Sequence, residues 1–260
     1  MYQYKAAGGE IYAYRRRGTG RAILLLHGNR ASSGAMEPLA APLSACGAVY
    51  VPDMPGFGES TYNHRLRRVE DYGAMMAEFL AAKELEDVVV VGWSFGGAVA
   101  MELAKQSERV SALVLLSAVG VGGVTLPGLR GEAKKYAHLP RQEAKRMRIE
   151  EMLGTYLFHG ELPRAYLHLL EEALKQKNPL DIYRALRRYR CTAPRDLPAL
   201  IIHGKGDRVI PVSDAMATAA AYPRSELLLL EGGHFLLYNQ RDAVLRAIVD
   251  FLAAHPKKAP

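Results

Sequence analysis

Short unbroken apolar runs alternate along this chain with stretches in which apolar residues recur every three or four positions. The runs are Ala22–Leu26, Ala48–Val51, Val88–Val91, Ala112–Leu116, Ala199–Ile202 and Leu227–Leu230. Continuous apolarity, rather than strict alternation, marks strands covered on both faces, as in a parallel sheet. Between them, Asp71–Leu85, Gly96–Gln106, Ser213–Ala221 and Gln240–Ala254 carry the period of amphipathic helices. Strand–helix alternation of this kind predicts βαβ units and a doubly wound, mostly parallel α/β sheet. The first residues differ: Tyr2–Ala6 and Glu10–Arg15 read as two short strands with Gly8-Gly9 as the turn.

The alternation breaks once. After Leu116 about eighty residues pass without a strand-like run until Ala199. The interval reads as helices over Leu129–His138, Arg141–Leu157, Arg164–Lys175 and Leu180–Tyr189, punctuated by Pro127, Pro140, Pro163, Pro179 and Pro194. A helical insertion at one point of a parallel sheet is most simply a lid over the carboxyl ends of the strands, where open α/β sheets bind ligands. The expected organisation is a core of residues 1–120 and 196–260 with a helical lid over 121–195.

A length of 260 residues suits one large α/β domain or two small ones. No apolar run approaches the roughly 20 residues of a membrane helix. The start, Met1-Tyr2-Gln3-Tyr4-Lys5, lacks the apolar segment of a secretory signal, so a cytoplasmic protein off the membrane is expected. The two cysteines, Cys46 and Cys191, form no CxxC pair and read as reduced thiols. Charge is unevenly spread. Residues 123–195 hold 15 Lys and Arg against 8 Asp and Glu, while the remainder has 19 of each, so the net +7 sits in the helical insertion. A solvated basic face explains that charge, as does a site for an anionic substrate or acidic partner. No nucleic-acid recognition motif accompanies it.

The candidate chemistry centres on Gly92-Trp93-Ser94-Phe95-Gly96-Gly97, a G-x-S-x-G pentapeptide with a strand before it and a helix after it. A sharp strand-to-helix turn crowds the backbone around the serine, which accounts for the glycines. It also sets the hydroxyl at a helix N-terminus, where developing negative charge is favoured. A serine hydroxyl needs a base. His234, in the loop after Leu227–Leu230, is the best placed of the eight histidines, since His27 and His203 sit in tight His-Gly turns and the others in helical or terminal segments. The imidazole in turn needs a carboxylate to fix its tautomer. Asp207 follows the strand Ala199–Ile202, which gives the chain order Ser94, Asp207, His234. The N–H groups of Phe95 and Asn29 are the candidate oxyanion donors. Phe57, Trp93, Tyr156 and Phe235 are the candidate pocket-lining side chains. HExxH, paired CxxC, P-loop and dinucleotide fingerprints are absent, so no metal or cofactor is implied.

Leu26-His27-Gly28, Asp53-Met54-Pro55-Gly56-Phe57-Gly58-Glu59-Ser60, Gly92–Gly97, the Asp207 turn and Gly233-His234 occur in the order found in the α/β-hydrolase superfamily, which this chain resembles outside the insertion. The resemblance implies the α/β-hydrolase fold and a serine hydrolase acting on small-molecule carboxylic esters. His27-Gly28-Asn29 is similar to haloalkane dehalogenases and epoxide hydrolases, but those families carry aspartate where this chain has Ser94, which argues against both. Related enzymes hydrolyse carbon–carbon bonds in ring-cleavage dienoates or act as perhydrolases. Gly92–Gly97 with Pro55-Gly56-Phe57-Gly58 also resembles the methyl esterases that act on a pimeloyl group linked to its carrier protein, and that likeness implies an acidic carrier at the basic insertion. The oligomeric state, monomer or homodimer, stays open.

Overall fold

Among the described residues, eight strands form one sheet in the order β1-β2-β4-β3-β5-β6-β7-β8. The computed structural model describes residues 1–257 apart from 125–134, 137, 159 and 193, and the backbone alone of residue 156. The strands are β1 (Gln3–Ala7), β2 (Glu10–Arg17), β3 (Ala22–Leu26), β4 (Ala48–Pro52), β5 (Val88–Trp93), β6 (Val110–Leu116), β7 (Ala199–Gly204) and β8 (Ser225–Leu230). The β1–β2 hairpin is antiparallel and β2 joins β4 antiparallel, while every pair from β4 through β8 is parallel.

The helices are α1 (Glu37–Leu43), α2 (Val69–Ala82), α3 (Phe95–Gln106), α4 (Arg141–Leu153), α5 (Leu167–Leu174), α6 (Pro179–Arg188), α7 (Val212–Ala221), α8 (Leu236–Asn239) and α9 (Arg241–Ala254). Successive strand residues point to opposite faces, so each apolar run feeds two cores. Leu24, Leu26, Val88 and Val90 pack with α2, α3 and α7 on one side. Ile23, Leu25, Val89 and Val91 pack with α1 and α9 on the other.

The insertion between β6 and β7 joins both cores. Ile149 and Leu153 of α4 and Leu169, Leu170 and Ala173 of α5 belong to the α9 side. Ile182, Ala185 and Leu186 of α6 belong to the α3 side. α4 ends in one π-helical turn, Gly154–Phe158, and α5 begins with a 3-10 turn, Arg164–Tyr166. The helix expected over Leu129–His138 lies almost wholly outside the described residues.

One reading of the apolar pattern needs correction. Leu227–Leu230 is not doubly covered: β8 is the last strand of the sheet, and its residues are half-buried or exposed, Leu227 among them. The sequence reading also leaves out α1, a seven-residue helix that contains Pro38 and Pro42. Pro38 occupies the first turn, where a missing N–H costs nothing, and Pro42 lies at the far end.

Candidate active site

β5 delivers Ser94 into a turn that only a tight glycine setting allows. Ser94 has φ 55° and ψ −118°, a strained conformation for a residue with a side chain. Three backbone bonds hold it there: its N–H donates to the Leu116 carbonyl (3.1 Å), and its own carbonyl accepts from Gly97 and Val119, each at 3.0 Å. α3 can start so close to β3 because Gly96 has no side chain; a Cβ there would lie 2.2 Å from the Leu26 carbonyl oxygen.

The other two members arrive from the loops after β7 and β8. Asp207 Oδ1 accepts the N–H groups of Val209 (2.8 Å) and Ile210 (2.9 Å), which leaves Oδ2 for His234. His234 Nδ1–H donates to Asp207 Oδ2 at 2.8 Å. Because a carboxylate can only accept, the proton resides on Nδ1, and Nε2 is left to accept from the Ser94 hydroxyl at 2.9 Å. Hydroxyl, imidazole and carboxylate thus form one unbroken hydrogen-bonded line. Burial pushes the Asp207 carboxyl pKa up, but the His234 hydrogen bond and charge, the Ile210 N–H and His203 outweigh it and hold the group below its ordinary value. Asp207 stays ionised where it is needed.

The remaining strand-end histidines have different tasks. Burial lowers the pKa of both His27 and His203. His27 accepts the Met54 N–H on Nε2 (3.1 Å) and donates from Nδ1 to the Gly28 carbonyl (2.9 Å), so it ties the loop after β3 to the turn after β4. His203 Nε2–H donates to the Ile210 carbonyl at 2.9 Å and steadies the Asp207 turn.

The loop after β3 runs beside the nucleophile. A Cβ built on Gly28 would lie 3.2 Å from the Ser94 Cβ. Neither the Asn29 N–H nor the Phe95 N–H has a hydrogen-bond acceptor among the described residues. Phe95 opens α3, whose first-turn N–H groups have no partner within the helix. Two donors with no partner among the described residues thus belong to the segments next to the serine.

Of the expected pocket residues, Phe57 and Phe235 are fully buried and Trp93 is 3% exposed. Phe57 packs against His27 and Phe95, inside the core rather than at an opening. Trp93 turns out to have a task that the pentapeptide pattern does not show: its Nε1–H donates to the His234 carbonyl at 3.1 Å, so the residue before the serine holds the backbone of the histidine. The Tyr156 side chain lies outside the described residues. Phe158 and Tyr166, both from the insertion, meet Phe235 with ring centroids 5.4 and 6.1 Å away. Tyr166 also meets Tyr238 at 5.5 Å. This aromatic cluster leads from the insertion to Trp93 and His234; only its loop position next to His234 hinted at it.

Among the described residues no group of three His, Cys, Asp or Glu side chains is placed to hold a metal ion. No helix among them is long and apolar enough to cross a membrane.

A doubly wound sheet with a serine on a strained strand-to-helix turn, bonded to a histidine and an aspartate from later loops, defines a hydrolase of the α/β class. The sequence comparison agrees: the profile described as "Alpha/beta hydrolase family" matches residues 23–247, and the chain belongs to that family. The 2-hydroxy-6-oxo-2,4-heptadienoate hydrolase of Pseudomonas putida is 29% identical, over 91% of each chain. A pimeloyl-[acyl-carrier protein] methyl ester esterase of Xanthomonas campestris is 27% identical, over 92% of this chain and 98% of its own. Among solved structures, an esterase from Exiguobacterium antarcticum superposes with a TM-score of 0.83 at 20% identity, covering 97% of this chain and 100% of its own.

Proposed function

We propose that this protein cleaves carboxylic esters through an acyl-enzyme. The observation that carries the reading is the line from Ser94 Oγ through His234 to Asp207, with both hydrogen bonds under 3 Å. His234 takes the Ser94 proton as the hydroxyl oxygen attacks the ester carbonyl. The same imidazole, now protonated, gives its proton to the leaving alcohol. Water, activated by His234 in turn, releases the acid. Asp207 holds the proton on Nδ1 and stabilises the imidazolium that forms. The N–H groups of Asn29 and Phe95 receive the oxyanion. Residues 121–195 act as a lid over the carboxyl edge of the sheet, a reading supported by the packing of α4, α5 and α6 on the two cores. The scheme requires no cofactor, and the cytoplasm suits it. Ser94→Ala is expected to abolish turnover of a short-chain p-nitrophenyl ester while leaving the unfolding temperature close to that of the parent; retained turnover would sink the assignment.

The relatives supply two variants of the same machinery. Hydrolysis of a carbon–carbon bond in a dienoate is supported by the Pseudomonas relative, and a panel containing a dienoate beside the esters, with acetate plus peroxide for perhydrolysis, separates these chemistries. An acidic carrier or anionic ester is supported by the Xanthomonas relative and by exposed arginines of the insertion: Arg187 and Arg188 are exposed and have no hydrogen-bond or ion-pair partner among the described residues. Reversing both charges should slow turnover of anionic or carrier-linked esters and spare neutral ones; equal effects on both would remove this variant.

A further inference from the structure

Between α5 and α6 the segment Gln176-Lys177-Asn178 turns inward and fastens the insertion to the core. Asn178 is 2% exposed and Gln176 6%. Asn178 Nδ2 donates to the Pro55 carbonyl (2.9 Å) and to the Tyr72 hydroxyl (2.6 Å). The Lys177 N–H donates to the Gly56 carbonyl (2.8 Å), and its ammonium to the carbonyls of Gly58 (3.0 Å) and Ser60 (2.6 Å). Gly56 is glycine for this contact: its φ is +86°, and a Cβ there would fall 2.2 Å from Asn178 Nδ2. Gln176 Nε2 donates to Asn178 Oδ1 and to Asn29 Oδ1, each at 3.0 Å.

The polarity of this chain of amides is set at one end. A backbone carbonyl can only accept, so Asn178 must turn its NH2 toward Pro55 and its oxygen toward Gln176. Gln176 must then present its NH2, and Asn29 its oxygen. Every amide orientation follows from the Pro55 carbonyl. Asn29 itself is exposed, and its side chain has no other hydrogen-bond partner among the described residues. The loop before it is anchored by His27 through the Gly28 carbonyl, and Gln176 is the anchor on the far side.

We propose that Gln176, supplied by the insertion, is a positioning residue for the oxyanion loop, acting through the side chain of Asn29. It rests on the reading of the Asn29 N–H as an oxyanion donor. Such a donor works only when held within about 0.5 Å of its productive position. The Asn29 side chain thereby matters through its oxygen, although the donated group is main chain.

The test is a double-mutant cycle on Gln176→Met, which keeps the length of the side chain and removes the donor, and Asn29→Ala, followed with a neutral p-nitrophenyl ester and with a trifluoromethyl ketone whose adduct with Ser94 mimics the oxyanion. Each single variant should lower kcat about tenfold with KM changed less than about twofold, the double should lose no more than the worse single, and ketone affinity should fall by the same factor as kcat. Gln176→Glu, with the same shape but acceptors only, should lose at least as much as Gln176→Met, and melting curves confirm that each variant is folded. Unchanged kcat in Gln176→Met, losses that multiply in the double, or a fall in KM affinity alone would overturn the proposal. Coupled losses in kcat with unmoved ketone affinity would overturn the Asn29 donor assignment on which it stands, while Ser94→Ala tests the esterase reading separately.

Discussion

At the scale of single residues, the site depends on which atom of each polar group is already committed. Asp207 shows this most directly, because two backbone N–H groups occupy Oδ1 and leave Oδ2 for the imidazole. An asparagine at 207 offers an NH2 where the histidine needs an acceptor, so the imidazole proton moves to Nε2 and the base can no longer take the serine proton. Asp207→Asn should therefore lower kcat by about four orders of magnitude at pH 7. A stability effect accompanies it, with a definite sign. The folded-state pKa of Asp207 lies below its ordinary value of 3.8, so ionised Asp207 contributes stability above that value and the contribution disappears as pH falls through the folded-state pKa. Urea midpoints of the parent and Asp207→Asn should differ most at neutral pH and converge in acid below pH 3.8; a gap that widens on acidification would contradict the direction of the shift. Ser94, His234 and Asp207 were legible in the sequence because each follows an apolar run and the chain order matches a known constellation. The Trp93 indole bond to His234 and the Gln176 bond to Asn29 were not, since each spans well over a hundred positions and neither donor belongs to a local pattern.

Elements explain why the glycine pattern around the serine is so informative. α3 begins within van der Waals contact of the end of β3, and the atoms in the way of any side chain there are backbone. A methyl group on Gly96 would face the carbonyl oxygens of Leu26 at 2.2 Å and His27 at 2.7 Å, and neither can yield without moving a central strand. Gly96→Ala should destabilise the fold by about 2–3 kcal/mol, the upper part of the overpacking range, and lower activity in the fraction that folds. Gly122→Ala is the control: nothing among the described residues lies within 4 Å of its would-be Cβ, and a change within about 0.5 kcal/mol is expected there. Denaturant midpoints for the two variants decide the matter, and similar losses at both positions would show that the close approach is not the cause. The apolar runs located every strand from β3 to β8, because burial on two faces imposes continuous apolarity. They misjudged only the cover of β8, an edge strand with the same composition as the buried ones, and they picked out nothing at α1, a helix of seven residues.

For the molecule as a whole, charge is distributed by chain segment, and the fold decides how much of it is free to act at a distance. The insertion carries all of the net positive charge, yet part of that charge is spent on holding the insertion in place. Lys177 binds two core carbonyls, Arg195 reaches the carbonyls of Ala104, Ser107 and Val110, and Lys175, Arg146 and Lys135 pair with Glu59, Glu171 and Glu151. Asp181, buried on α6, gathers Arg65, Arg67 and Arg184. Arg141, Arg148, Arg164, Arg187 and Arg188 have no such partner among the described residues. If these free guanidiniums set the field at the mouth of the site, association of an anionic ester is accelerated at low salt and loses that advantage as the screening length shrinks from about 30 Å at 0.01 M to about 3 Å at 1 M. A neutral ester of the same acyl length experiences no such field. The ratio of kcat/KM for a monomethyl dicarboxylate to that for its dimethyl ester should therefore fall as ionic strength rises, with kcat itself unchanged for both, and replacing Arg187 and Arg188 by glutamate should flatten the slope. A ratio that stays constant across that range would confine the basic insertion to the structural tasks its paired residues already perform.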